Sequence, residues 1–171
     1  MERKDAVKMK GNPMTLVGPE LKQGDKAPEF ELLDNELKPV HLSDSKGKVR
    51  FFSVVPSLDT PVCSTQTDKF NKEMNSFGDN VASYTVSADL PFAQARFCGE
   101  HNIDNMKTLS DHKEMSFGRA YGLMINELRL LARAVVIVDA DDKIAYFQLV
   151  PEATDEPNYD EALQALKKLV G

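Results

Sequence analysis

From residue 49 to residue 101 the chain alternates between extended apolar runs and polar segments of helical length. The first run, "RFFSVV", ends at Val55 and gives way to a segment that reads as a helix from about Pro61 to Phe77. A second run, "VASYTVSAD", leads into another helix, with Asp89 expected as its N-cap and Pro91 in its first turn. This βαβα alternation restricts the chain to α/β architectures, in which helices cover a central sheet. Around it, two short apolar alternations flank Gly11-Asn12-Pro13 and predict a hairpin, and "PEFELLD" and "KPVHLSD" read as a second pair of strands about Asp34-Asn35. Further on, "MKTLSD" and a short helix "EMSFGRAYG" precede the strands "LARAVVIVDA" and "KIAYFQLV", joined across Asp141-Asp142. A last helix from about Asn158 sets Tyr159, Leu163, Leu166 and Val170 on one face. The expectation is a mixed central sheet with helices on both faces, preceded by a β-hairpin.

Length and charge narrow the possibilities. With 171 residues, 42% of them hydrophobic, the chain can bury one sizeable core, and a single domain over 1–171 is expected. Its net charge of -6 comes without a Lys/Arg-rich stripe, so a polyanion is repelled on average and nucleic acid is not an expected partner. The opening "MERKDAVKMKGNP" has no apolar core of a leader, and no later run approaches the roughly 20 apolar residues of a membrane-spanning helix. The expected location is the cytoplasm.

There, the two cysteines, Cys63 and Cys98, read first as reduced thiols. Their separation rules out a CxxC motif, and three scattered histidines give no zinc pattern, so no metal is expected. Cys63 nevertheless has a special address: "VVPSLDTPVC" carries it from the end of a strand into the first turn of a helix. The unpaired N–H groups and partial positive charge of a helix N-terminus stabilise a thiolate, and carboxyl ends of strands are where α/β sheets open their crevices. Position alone leaves a second reading equally open, a small buried hydrophobe at the start of an amphipathic helix.

The segment "SVVPSLDTPVCSTQT" resembles the active-site stretch of the peroxiredoxins, in which a proline, three residues, Thr or Ser, and two residues lead to a cysteine. Pro56, Thr60 and Cys63 fill that pattern. Similarity to the bacterial branch of atypical two-cysteine enzymes extends over nearly the whole chain, through "GNPMTLVGPELKQGDKAPEFEL", "LLARAVVIVD" and "LVPEATDEPNYDEALQALK". The resemblance implies a thioredoxin-like fold and a thiol-dependent hydroperoxide reductase acting without metal, flavin or haem. It further implies roles. Cys63 is the peroxidatic thiolate, and the Thr60 hydroxyl and the Cys63 N–H bind the peroxide. Pro56 limits water, and Arg133 activates the sulfur. Cys98, in "PFAQARFCGEHN", is the resolving thiol that closes an intrachain disulfide, which thioredoxin then reduces. A homodimer is the expected assembly. One departure stands out: Arg50-Phe51-Phe52 occupies a strand start where a small aliphatic run is expected.

Other features fit blander readings. His41, His101 and His112 suggest no cysteine hydrolase signature. Met115, Phe117, Tyr121, Leu123 and Met124 suit an apolar rim for alkyl hydroperoxides, a dimer contact or core packing. The "DADD" run reads as a turn rather than a calcium loop. Two competing functions, a disulfide-exchange protein and a noncatalytic binding domain, are disfavoured by the missing CxxC and by the Pro56, Thr60, Cys63 and Arg133 set respectively.

Overall fold

The computed structural model describes residues 1–170. A seven-stranded mixed sheet runs in the order β11-β10-β5-β6-β7-β3-β4. Its centre is the expected alternation: β5 (Val49–Val54), α1 (Pro61–Met74), β6 (Val81–Ser87), α2 (Pro91–His101) and β7 (Lys107–Ser110). β5, β6 and β7 are parallel, whereas β10 (Ala134–Val138) pairs antiparallel with both β5 and β11 (Ile144–Leu149). The outer edge is β3 (Glu31–Leu33) with β4 (Pro39–His41). The predicted N-terminal hairpin is present as β1 (Glu2–Met9) and β2 (Asn12–Val17), turning through Lys10 and Gly11, both at positive φ. It extends into a second sheet through β8 (Met124–Ile125) and β9 (Leu130–Leu131).

Two apolar clusters sandwich the main sheet. On one face Val49, Phe51, Val135 and Ile137 pack with Phe70 and Met74 of α1, Phe97 of α2, and Leu163 and Leu166 of α4 (Tyr159–Val170). On the other, Phe52, Val54, Val86 and Val136 pack with the second sheet and with α3 (Ser116–Ala120). Helices therefore lie on both faces, as expected, although α3 spans only five residues. Met115, Phe117, Tyr121, Leu123 and Met124 are at most 2% exposed and belong to this second cluster. They form core, not an apolar rim or a contact surface.

Three local expectations need correction. The run "LARAVVIVDA" is two strands, because Leu130 and Leu131 pair in the second sheet and the chain crosses into the first at Ala132-Arg133. α1 stops at Met74, three residues early. Asp89 does not cap α2: Leu90 holds the cap position, and the Asp89 carboxylate turns back toward the preceding loop.

Arg50 explains the unusual start of β5. Every residue of that central strand is buried, and Arg50 has no exposed surface. Its guanidinium donates to the Lys48 and Asp139 carbonyls, both at 2.8 Å, and forms an ion pair with Asp142 in the β10–β11 turn. The "DADD" run is thus a turn with one carboxylate committed to a buried cation, and Asp142 holds a positive φ of 63° there. Removing one member of a buried pair leaves the other charged and uncompensated, at a cost of several kcal/mol. Asp142→Ala should lower the unfolding free energy by about 3 kcal/mol, the low end of that range because Asp142 is partly exposed. Adding Arg50→Met should recover part of the loss in denaturant titrations. A double variant less stable than Asp142→Ala alone would show that packing of the Arg50 stem, rather than its charge, is what matters.

Candidate active site

The buried stripe of α1 runs Cys63, Gln66, Thr67, Phe70, Asn71 and Met74, a helical spacing that turns the cysteine onto the sheet. Cys63 is completely buried. It is the third residue of α1, following Thr60 at the N-cap and Pro61 at the first helical position. No side chain caps this terminus. Thr60 instead donates its hydroxyl to the Ser57 carbonyl at 3.0 Å, so the oxygen keeps its lone pairs available while the residue remains exposed. Pro56, just beyond the end of β5, is buried.

Arg133 reaches this turn from the crossing between β9 and β10. It is 2% exposed, and its Nη2 lies 3.2 Å from Cys63 Sγ. The remaining contacts fix the guanidinium plane: Nη1 donates to Gln66 Oε1 at 2.9 Å, and Nε to the Ala153 carbonyl at 2.8 Å. Gln66 is oriented in turn by donating to Ser53 Oγ of β5 at 2.8 Å. None of these acceptors is a carboxylate. The Cys63 sulfur is thus the remaining partner of a buried guanidinium whose other acceptors are neutral oxygens.

A surface clamp supports the Ala153 carbonyl. The Lys8 carbonyl accepts the Ala153 N–H at 2.8 Å, and the Glu152 carboxylate accepts the Lys10 and Gly11 amides of the hairpin turn. The Thr154 and Gly11 amides hold the Glu152 carboxyl down to about 2, so the clamp is charged at any ordinary pH. The N-terminal hairpin thereby braces the loop that holds Arg133.

The proposed resolving thiol stands elsewhere. Cys98 lies in the second half of α2, partly buried against the core, with its Sγ 3.4 Å from the Thr108 hydroxyl of β7 and 4.0 Å from Asn35 Nδ2. Both cysteines are free. The Cys63 sulfur sits over the β10–β5 side of the sheet and Cys98 over β7, with β6 between, so the gap from β5 to β7 alone is about 10 Å.

Arg129 is exposed, whereas Arg133 is buried at the site. His41 pairs with Glu31 and Asp44 and His101 with Asp68, while His112 is exposed; these contacts leave Cys63 without an imidazole partner among them. Sequence reasoning missed Gln66 and Ser53. The signal for Gln66 was its place three residues after Cys63, a polar side chain on an otherwise buried stripe. No cluster of His, Cys, Asp and Glu suited to a metal ion occurs among the described residues, and none of their helices is long and apolar enough to cross a membrane.

Known proteins are similar to this chain along almost their full length. The Redoxin family model matches residues 22–163. The thiol peroxidase of Halalkalibacterium halodurans is 56% identical over 162 residues, covering 95% of this chain and 97% of that protein. That of Bacillus subtilis is 54% identical over 164 residues, covering 96% and 98%. Among solved structures, a peroxiredoxin-like protein from Aquifex aeolicus superposes with a TM-score of 0.90 at 48% identity, over 96% of this chain and 97% of that one. The thiol peroxidase from Chromobacterium violaceum shares the fold, with a TM-score of 0.83 at 19% identity over 95% of each chain. With its thioredoxin-like α/β fold and near-complete alignment to these relatives, the chain belongs to the Redoxin family and groups there with the thiol peroxidases, enzymes of the peroxiredoxin type.

Proposed function

We propose that this enzyme reduces hydroperoxides through Cys63 and is recycled by a dithiol protein, with Cys98 as the resolving thiol. The observation that carries the reading is the contact between Arg133 Nη2 and Cys63 Sγ, made by a guanidinium whose other partners are neutral. In the first step the Cys63 thiolate attacks the terminal oxygen of ROOH. The S–O bond forms as the O–O bond breaks, and the departing alkoxide takes a proton to leave as ROH, or as water from hydrogen peroxide. Thr60 Oγ1, whose hydrogen is given to Ser57, accepts from the peroxide O–H, and the Cys63 N–H and Arg133 meet the developing negative charge. Pro56 restricts water at the sulfur.

In the second step the Cys98 thiolate displaces hydroxide from the Cys63 sulfenic acid, which leaves as water, and the Cys63–Cys98 disulfide forms. A dithiol reductant, thioredoxin, then restores both thiols by exchange and becomes a disulfide itself. The assembly proposed is a homodimer and the location the cytoplasm. The test is loss of NADPH in a mixture of this protein, thioredoxin, thioredoxin reductase and a hydroperoxide. Peroxide-dependent oxidation of NADPH is expected, and its absence while the protein still exchanges disulfides with thioredoxin would favour a redox-exchange role.

Arg133 has its own expected outcome. Arg133→Met keeps an unbranched apolar stem and removes the charge and the donors, so single-turnover oxidation of Cys63 should slow by about 10²- to 10³-fold, the scale for losing one preorganised donor. Far-ultraviolet circular dichroism should stay unchanged. An unaltered oxidation rate would reduce Arg133 to a packing role.

A further inference from the structure

Asp89 touches none of the reacting atoms, yet its carboxylate gathers more donors than any other acidic group beside the Cys63 loop. Oδ1 accepts the Ser57 hydroxyl at 2.7 Å. Oδ2 accepts the Leu58 N–H and the Ser87 hydroxyl, each at 2.7 Å. Through Ser57 the contact reaches the catalytic turn: its hydroxyl oxygen accepts the Asp59 N–H at 3.1 Å, and its carbonyl accepts the Thr60 hydroxyl. Residues 55–60 lie outside regular structure; the Val55 N–H donates to the Val86 carbonyl at one end, the Thr60 carbonyl accepts the Ser64 N–H of α1 at the other, and between them the Asp89 carboxylate is the anchor among the described contacts.

The same node holds the helix of the other cysteine. Gln94 of α2, fully buried and one turn before Cys98, donates to Ser87 Oγ at 3.0 Å and to the Leu109 carbonyl at 2.9 Å. Ser110 at the end of β7 donates to the Asp89 carbonyl, and the Asp89 N–H donates to Ser87 Oγ at 3.3 Å. One residue thus joins the loop before α1, the ends of β6 and β7, and the first turns of α2.

We infer that Asp89 is a positioning residue that holds Thr60 and the first turn of α1 in the peroxide-competent arrangement, and that it ties this arrangement to α2 so that loop and helix are held or released together. The inference rests on the function proposed above for Cys63 and Cys98. Its chemical basis is the count of acceptors. A carboxylate can take three donors on two oxygens, whereas the amide of asparagine offers one acceptor oxygen and presents N–H groups to the rest. The two serine hydroxyls can rotate to accept from that amide, but the Leu58 N–H cannot, so asparagine should restore part of the function and alanine none.

The experiment uses reduced full-length protein mixed with stoichiometric hydrogen peroxide. Sulfenic acid is trapped over time with dimedone and quantified by mass spectrometry, and amide exchange is followed separately. In Asp89→Ala, oxidation of Cys63 should slow on the order of 10²-fold, the penalty for about an ångström of misplacement at a reacting centre. Amides of residues 57–60 and 91–97 should both exchange faster, and Asp89→Asn should lie between alanine and parent in each measurement. Ser57→Ala cuts only the arm toward Thr60, so it should slow oxidation while leaving 91–97 at parental exchange. Asp89→Asn, which keeps one acceptor oxygen, decides the matter if Asp89→Ala does not fold. Oxidation at the parental rate in folded Asp89 or Ser57 variants, or unchanged exchange in 91–97 after Asp89 substitution, would overturn the assignment. A parent protein that consumes no peroxide would instead overturn the function, while the exchange data would still judge the tie between loop and helix.

Discussion

Cys63→Ser should eliminate peroxide reduction, with a loss on the order of 10⁶-fold, the scale felt when an enzyme loses its covalent nucleophile. A serine hydroxyl is far too weakly acidic to ionise beside Arg133 at neutral pH, and it has no adjacent general base: Sγ is met by a guanidinium, which cannot accept a proton. The substitution fits the same buried place in the stripe of α1, so folding is expected to survive and unfolding midpoints to change little. Measured with the thioredoxin-coupled assay, turnover should fall to background. Retention of even a hundredth of parental turnover would remove Cys63 from the centre of the mechanism.

Cys98→Ser should separate the two halves of the cycle. Because Cys98 is bonded to Thr108 over β7, away from the Cys63 sulfur, its loss should leave the first oxidation near the parental rate. One equivalent of peroxide is then consumed, and thioredoxin-linked turnover falls to background because the sulfenic acid has no partner within the chain. Stopping peroxide consumption at one equivalent is the diagnostic result, and sustained turnover would assign resolution to another group. In the parent protein, disulfide formation requires Cα atoms within about 7 Å. The intervening strand therefore implies that one or both cysteine helices open locally, and amides of residues 60–66 and 90–102 should exchange faster in the oxidised form. Equal protection in both redox states would mean that the bond closes without unwinding.

The legible parts of this molecule were those governed by local pattern. Apolar runs alternating with helical segments revealed β5, α1, β6 and α2, and Gly11 with its neighbours marked the hairpin, because strand period and turn chemistry act over a few residues. Cys63 and Arg133 were placed together through their resemblance to a motif, and the 3.2 Å contact gives that pairing a physical form. Long-range hydrogen bonds were not legible. Asp89 sits where an N-cap is expected, and only the fold reveals that Ser57 and Leu58, some thirty residues earlier, each donate to one of its oxygens. Gln66 and Ser53 join across a helix and a strand, and Ala153 contributes a carbonyl, a group that every residue possesses and no composition betrays. The apparent oddity of Arg50 dissolved for the same reason, since its partner lies at residue 142.

The crossing at Ala132-Arg133 carries a consequence for how the length of such a chain can drift. Leu130 and Leu131 are fixed by register to β8, and Ala134 is fixed opposite Val54 of β5, so only two residues span the seam. One inserted or deleted residue there would exchange inward for outward along β10 or withdraw the guanidinium from the sulfur. Residues 126–129, a few positions earlier, form an exposed turn whose loop can lengthen into solvent without disturbing either register. Indels should therefore be tolerated at that tip and excluded at the seam, giving a sharp boundary between freedom and constraint within a single short stretch of chain.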